Sequence, residues 1–222
     1  MAETSREVPV RVVPGLGLDQ RSWQPTLGPL SVPVSSVVLL PGFGEPLGGV
    51  DPSPDALARL LVARLRTLTP VVLMGHSASC QILAHVARVD PGIVRGLVLV
   101  GPTTDPRAVS WSRLARRWLA TAVHENPVHV PRLMAQWKKT GFRHMGRAMD
   151  SLRQDRIDIT LARVECPVLV VRGPHDHLCN AEWARSLSPT AITLARGAHM
   201  IPSTEGRATA DAIERFLRRL TL

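Results

Sequence analysis

A chain of 222 residues, 45% hydrophobic and 20% charged, has the length of one domain with a sizeable core and excludes the disordered and fibrous classes. No stretch approaches the roughly 18 uninterrupted apolar residues of a membrane span, and Met1–Pro9 lacks the apolar centre of a signal peptide, so a cytoplasmic location without a membrane partner is expected. The net charge of +9 is concentrated between Arg107 and Arg156, where eleven basic residues meet three acidic ones, Glu125, Asp150 and Asp155. A local patch of this kind argues against a nucleic-acid partner and fits a solvated basic face. Cys80, Cys166 and Cys179 follow no metal spacing, and their odd number predicts free thiols.

In chain order, Val8–Val13 reads as a strand, interrupted by Pro9, that runs into the turn Pro14-Gly15-Leu16-Gly17. A helix is expected from about Ser22, with Trp23, Leu27 and Leu30 on one side. The strand Val34–Leu40 ends in Pro41-Gly42-Phe43-Gly44, and the spacing of Leu57, Leu60, Leu61, Leu65 and Leu68 marks an amphipathic helix. Val71–Met74 is a buried strand entering Gly75; Ile82, Leu83, Val86 and Val89 form the apolar face of the helix behind it. A further apolar strand covers Arg95–Gly101. The alternation pauses over Pro106–Ala162, which is helical, and resumes with the strand Val168–Val171, a helix near Ala181–Leu187, a strand Ala191–Ala195 and a closing helix from about Thr204 to Leu220. Continuous apolar strands alternating with helices predict an α/β fold with a doubly wound, mostly parallel sheet of about six strands. One domain spans 1–222, with a helical insertion at about 106–162.

Ser77, in Gly75-His76-Ser77-Ala78-Ser79, sits on the strand-to-helix turn, where a strained backbone lifts a hydroxyl clear of the sheet. The following helix aims its first amides at any oxyanion beside it. Helix capping by a serine is the plain alternative. A serine nucleophile needs a base and an orienting carboxylate. Asp176 follows the strand Val168–Val171 and His199 follows the strand Ala191–Ala195, so parallel strands bring all three loops to one edge of the sheet. Asp176 could be a mere turn residue, and Asp105, after the Leu97 strand, is a rival acid.

The order Ser77, Asp176, His199, with a Gly15-Leu16 turn after the first strand, resembles the α/β-hydrolase family from about Val8 to the C-terminus. Ser79 departs from the family's Gly-x-Ser-x-Gly pattern, and Pro14-Gly15 replaces its frequent His-Gly. The resemblance implies that Ser77, His199 and Asp176 are catalytic, that the amides of Leu16 and Ala78 form the oxyanion hole, and that 106–162 is a small cap. With seven residues ahead of Val8, the sheet is expected to lack the family's usual N-terminal antiparallel strand pair. A homodimer covering that sheet edge is left open.

Caps of the family set substrate choice. Trp111, Trp118, Trp137, Met134 and Met145 are candidates for an apolar substrate pocket, with packing against the core as the plain alternative. The arginines would suit an acidic or carrier-bound substrate. The expected activity is hydrolysis of a carboxylic ester or thioester through an acyl-enzyme, without a cofactor. A lyase or cyclase on the same fold and a ligand-binding protein with a slow triad are the alternatives. His76, His175 and His177 lack metal spacing, and no metal is expected.

Overall fold

The computed structural model describes residues 9–32, 36–65 and 69–220. Strand β1 (Val10–Val13) leads into the Gly15 turn, then a short 3-10 turn at Gln20–Ser22 and helix α1 (Gln24–Leu27). Two-residue strands β2 (Leu40–Pro41) and β3 (Gly44–Glu45) pair with each other, and helix α2 is Pro54–Leu65. Strand β4 (Val71–His76), helix α3 (Ser79–Val89) and strand β5 (Val94–Val100) form the centre. Four helices follow before the sheet resumes: α4 (Trp111–Ala122), α5 (Val130–Thr140), α6 (Phe142–Leu152) and α7 (Ile157–Leu161). The chain closes with strand β6 (Val168–Arg172), helix α8 (Ala181–Leu187), strand β7 (Ala191–Thr193) and helices α9 (Ile201–Thr204) and α10 (Gly206–Leu220).

Among the described residues the main sheet has five strands in the order β1-β4-β5-β6-β7, every pair parallel. Its apolar strands are buried on both faces, because alternate side chains point opposite ways. Val71, Leu73, Leu97, Leu99 and Val170 pack with α2, α3 and α8. Val72, Met74, Val98, Val100 and Val171 pack on the other side against Trp23, Leu27, Ile213 and Phe216. All six residues of β4 are buried, which fits its place inside the sheet.

The sheet is one strand smaller than the sequence predicts. Val34 and Ser35 lie outside the described residues, and 36–40 joins β1 through the bridge Val12–Val37 before β2. Pro41 has no amide to extend a ladder, and Gly42 turns the chain with φ 83°. Val8 and Leu68 also lie outside the described residues. The helix expected near Ser22 is reduced to the 3-10 turn plus α1, because Pro25 and Gly28 leave room for only one turn. The closing helix expected from about Thr204 is α10, preceded by the single turn α9, and β7 stops at Thr193, short of Ala195. Among the described residues no helix is long and apolar enough to cross a membrane. The three thiols are free, with Cys80 and Cys179 buried.

Candidate active site

Ser77 follows the last residue of β4 with φ 59°, a left-handed conformation that costs a non-glycine residue about 1 kcal/mol or more. Its amide is anchored to the Val100 carbonyl of β5 at 2.8 Å, which fixes the turn on the sheet. The room behind it comes from Gly75, where a Cβ would stand 2.7 Å from Leu83 Cδ1 and 2.9 Å from Ser79 Oγ. The Ser79 hydroxyl is itself employed: it accepts the His76 amide at 2.8 Å and lies 3.1 Å from the Val13 carbonyl and 2.9 Å from the His76 carbonyl, to either of which it can donate.

His199 arrives on the loop after β7, and Asp176 on the loop after β6. His199 Nε2 is 2.8 Å from Ser77 Oγ, and its Nδ1 is 2.8 Å from Asp176 Oδ2. Because a carboxylate accepts, Nδ1 carries the proton in the neutral ring and Nε2 is left to accept from the serine. The other Asp176 oxygen, Oδ1, accepts the Leu178 and Cys179 amides, each at 2.9 Å. The Asp176 side chain is fully buried. Burial opposes its charge, but the His199 imidazole, its hydrogen bond, the Cys179 amide and Arg172 outweigh this and hold the carboxyl below its usual range. Burial also opposes charge on His199, whereas the charge and hydrogen bond of Asp176, and then the charge of Glu125, raise it above the ordinary imidazole value.

His76 lies against the same ring, 4.9 Å between centroids, and its Nε2–H donates to the His199 carbonyl at 2.9 Å. Burial, and then the neighbouring His199, pushes it down to about 3, so it stays neutral. The amides of Leu16 and Ala78 have no hydrogen-bond acceptor among the described residues. The rival acid is placed elsewhere. Asp105 Oδ1 accepts from Arg107 Nε and its Oδ2 from Arg117 and Asn180, so its oxygens serve the cap rather than His199.

Ser77, His199 and Leu16 open on a cavity of about 680 Å³ walled by the inserted helices α4, α5 and α6. Trp111, Trp118, Trp137, Met134 and Met145 all line it, together with Met149. Packing into the sheet would have covered these side chains; instead Trp111, Trp118 and Met134 are between 43% and 48% exposed. The arginines on the wall are already paired, and the Glu125 carboxylate there accepts two backbone amides. Arg117 bonds to Asp105, while Arg153 bonds to Asp150 and to the Val109 carbonyl and lies 5.0 Å over the Trp111 ring. Among the described residues no His, Cys, Asp or Glu cluster could hold a metal.

Two contacts of these loops involve residues that no motif marks. Glu125 accepts from the His199 and Met200 amides, and Thr121 accepts from the His177 amide. The one signal for Glu125 in the sequence is its rarity, one of three acids among eleven basic residues.

A parallel sheet wound on both faces, with a strained serine hydrogen-bonded to a histidine and a buried aspartate at its carboxyl edge, defines an α/β-layered protein of the hydrolase type. The model of the alpha/beta hydrolase family matches residues 12–221, and the chain belongs to that family. Solved structures share the fold at low identity. A hydrolase from Oleispira antarctica is 14% identical with a TM-score of 0.76, over 96% of this chain and 91% of that one. An enol-lactonase from Burkholderia xenovorans is 16% identical with a TM-score of 0.74, over 97% and 94%. A hydrolase from Pseudomonas aeruginosa is 20% identical with a TM-score of 0.73, over 96% and 91%. No curated protein matches the chain.

Proposed function

We propose that the protein is a serine hydrolase that cleaves a carboxylic ester or thioester of a bulky, uncharged acid. The observation that carries this reading is the unbroken chain Ser77 Oγ, His199 Nε2, His199 Nδ1, Asp176 Oδ2, with 2.8 Å at both hydrogen bonds, opening on an apolar cavity. Ser77 Oγ attacks the acyl carbon as its proton passes to His199 Nε2. The Leu16 and Ala78 amides, which have no acceptor among the described residues, take the developing oxyanion. Collapse breaks the bond to the leaving oxygen or sulfur, which receives the proton from His199. Water then enters, gives a proton to His199 and its oxygen to the acyl carbon, and the acid leaves as Ser77 recovers its proton. The reaction balances with water alone.

The cavity wall supports the choice of acid. Its Trp and Met side chains suit an apolar acyl group, and its arginines are neutralised in place. The test is a panel of aryl esters and acyl thioesters, free and carrier-bound, run on the wild type and Ser77→Ala. The expected result is turnover favouring medium or long apolar acyl groups, an acyl-enzyme by mass spectrometry, and a loss of at least roughly 10⁴-fold in Ser77→Ala. Equal inertness of the two proteins on every substrate sinks the hydrolase reading. Turnover of another kind without an acyl-enzyme would favour lyase or cyclase chemistry instead.

A further inference from the structure

The segment that ends α4 touches both loops of the candidate triad. Thr121, in the last turn of α4, accepts the His177 amide at 3.0 Å, one residue beyond Asp176. His124, just past the helix, stacks on His175, one residue before Asp176, with ring centroids 4.3 Å apart and 14° between planes. Glu125 goes further: a single oxygen, Oε1, accepts the amide of His199 at 2.7 Å and that of Met200 at 2.8 Å. The turn that delivers it is closed by hydrogen bonds from the His124 amide to the Thr121 carbonyl and from the Glu125 amide to the Ala122 carbonyl.

The loop that carries these two amides is held on its carbonyl side by His76 Nε2–H at the His199 carbonyl and by the His175 amide at the Gly197 carbonyl, while Glu125 takes its amide side. Gly197, two residues before His199, has φ 92°, and α9 begins only at Ile201. Two charge-assisted bonds to one carboxylate fix both the position and the direction of that backbone. The imidazole must meet Ser77 and Asp176 at once, and a shift of about 1 Å in such a group can cost roughly a hundredfold in rate.

We propose that Glu125 is a positioning residue through which the cap holds the His199 loop in register with Ser77. This rests on the hydrolase reading above. Glu125 lines the substrate cavity while it grips the His199 backbone, so the element that receives the acyl group and the base that serves Ser77 are mechanically joined. Its charge adds a second effect. The charged and titratable groups facing His199 are Asp176 from the loop after β6, His76 from the end of β4 and Glu125 from the cap. Since Glu125 helps to raise His199, removing its charge lowers the pH at which the imidazole becomes a free base.

The experiment measures kcat, KM and pH–rate profiles with a small aryl acetate for the wild type, Glu125→Gln and Glu125→Ala, using a Ser77-directed phosphonate to count active sites. Glu125→Gln keeps an oxygen for both amides, whereas Glu125→Ala keeps none. The expected result is a kcat roughly 10- to 100-fold lower in Glu125→Ala with little change in KM. Glu125→Gln should recover most of that kcat, with its acidic limb moved to lower pH. Equal kcat in all three proteins, equal losses in Ala and Gln, or a loss confined to KM overturns the proposal. Should Glu125→Ala not fold, the isosteric variant decides alone, because an unmoved acidic limb overturns it. A wild type that neither turns over nor takes up the phosphonate brings down the hydrolase reading itself, which is a different outcome from active enzyme indifferent to Glu125.

Discussion

Ser79 shows how one hydroxyl can replace what a family pattern assigns to glycine. Its oxygen accepts the His76 amide directly below Ser77 and reaches the Val13 carbonyl, so it laces the end of β4 to β1. Gly75 leaves the room that this oxygen fills, and the two positions are therefore coupled. Ser79→Gly, which restores the family pattern, should lower stability by about 1–3 kcal/mol, because the buried His76 amide loses its acceptor. Urea denaturation checks this, and a gain in stability would discard the hydroxyl's role. That position 79 must be small is legible in the sequence, since a strand-to-helix turn demands close packing. The bond to Val13 is not, because its partner lies 66 residues away. Glu125 is hidden for the same reason: its hydrogen bonds span 74 and 75 residues of chain.

At the level of elements, the grouping of Ser77, Asp176 and His199 was readable because each follows an apolar strand and parallel strands end on one edge. What periodicity could not supply was the closeness of the loops. Gly173, at the start of the Asp176 loop, has the backbone of the His199 loop lying across it: a Cβ there would stand 2.3 Å from the Ala198 carbonyl oxygen and 2.6 Å from that of Gly197. Backbone cannot yield without moving His199. Gly173→Ala should therefore cost about 1–3 kcal/mol and at least roughly tenfold in kcat/KM together. Thermal melts and the ester assay check it; full activity in a destabilised variant would show that the two loops move independently. The apolar run Val34–Leu40 fits a buried ladder, yet with Pro41 and Gly42 at its end its described residues, 36–40, make one bridge to β1.

Over the whole molecule, the insertion is tied to the sheet by hydrogen bonds and ion pairs to buried polar groups. Asp105, 1% exposed, accepts from Arg107, Arg117 and Asn180, and so joins the end of β5 to α4 and to the start of α8. His85 on α3 meets Asp155, and Gln81 Nε2 donates to the Leu152 carbonyl at the end of α6. The three acids of the basic segment, Glu125, Asp150 and Asp155, thus each have a specific partner, which the charge count alone could not show. Burial opposes the charge of Asp105, but the Arg107 and Arg117 bonds win and bring its carboxyl down to about 2. A lowered folded value stabilises the protein fully above the unfolded carboxylate value of 3.8, and that stabilisation is lost as pH falls toward about 2. Asp105→Asn should be less stable than the wild type at neutral pH, with the gap narrowing below pH 3.8 in denaturation curves. A gap independent of pH would assign the effect to packing. The insertion is also the crossover that joins the adjacent strands β5 and β6. The entropy of closing a loop rises by only about 0.6 kcal/mol for each doubling of its length, so the length of this crossover by itself carries little thermodynamic penalty. A sheet of this kind can accept new lids, and with them new substrates, without being rebuilt. The Glu125 grip sets the entry condition for such a graft: an incoming lid must bring its own acceptor for the His199 and Met200 amides.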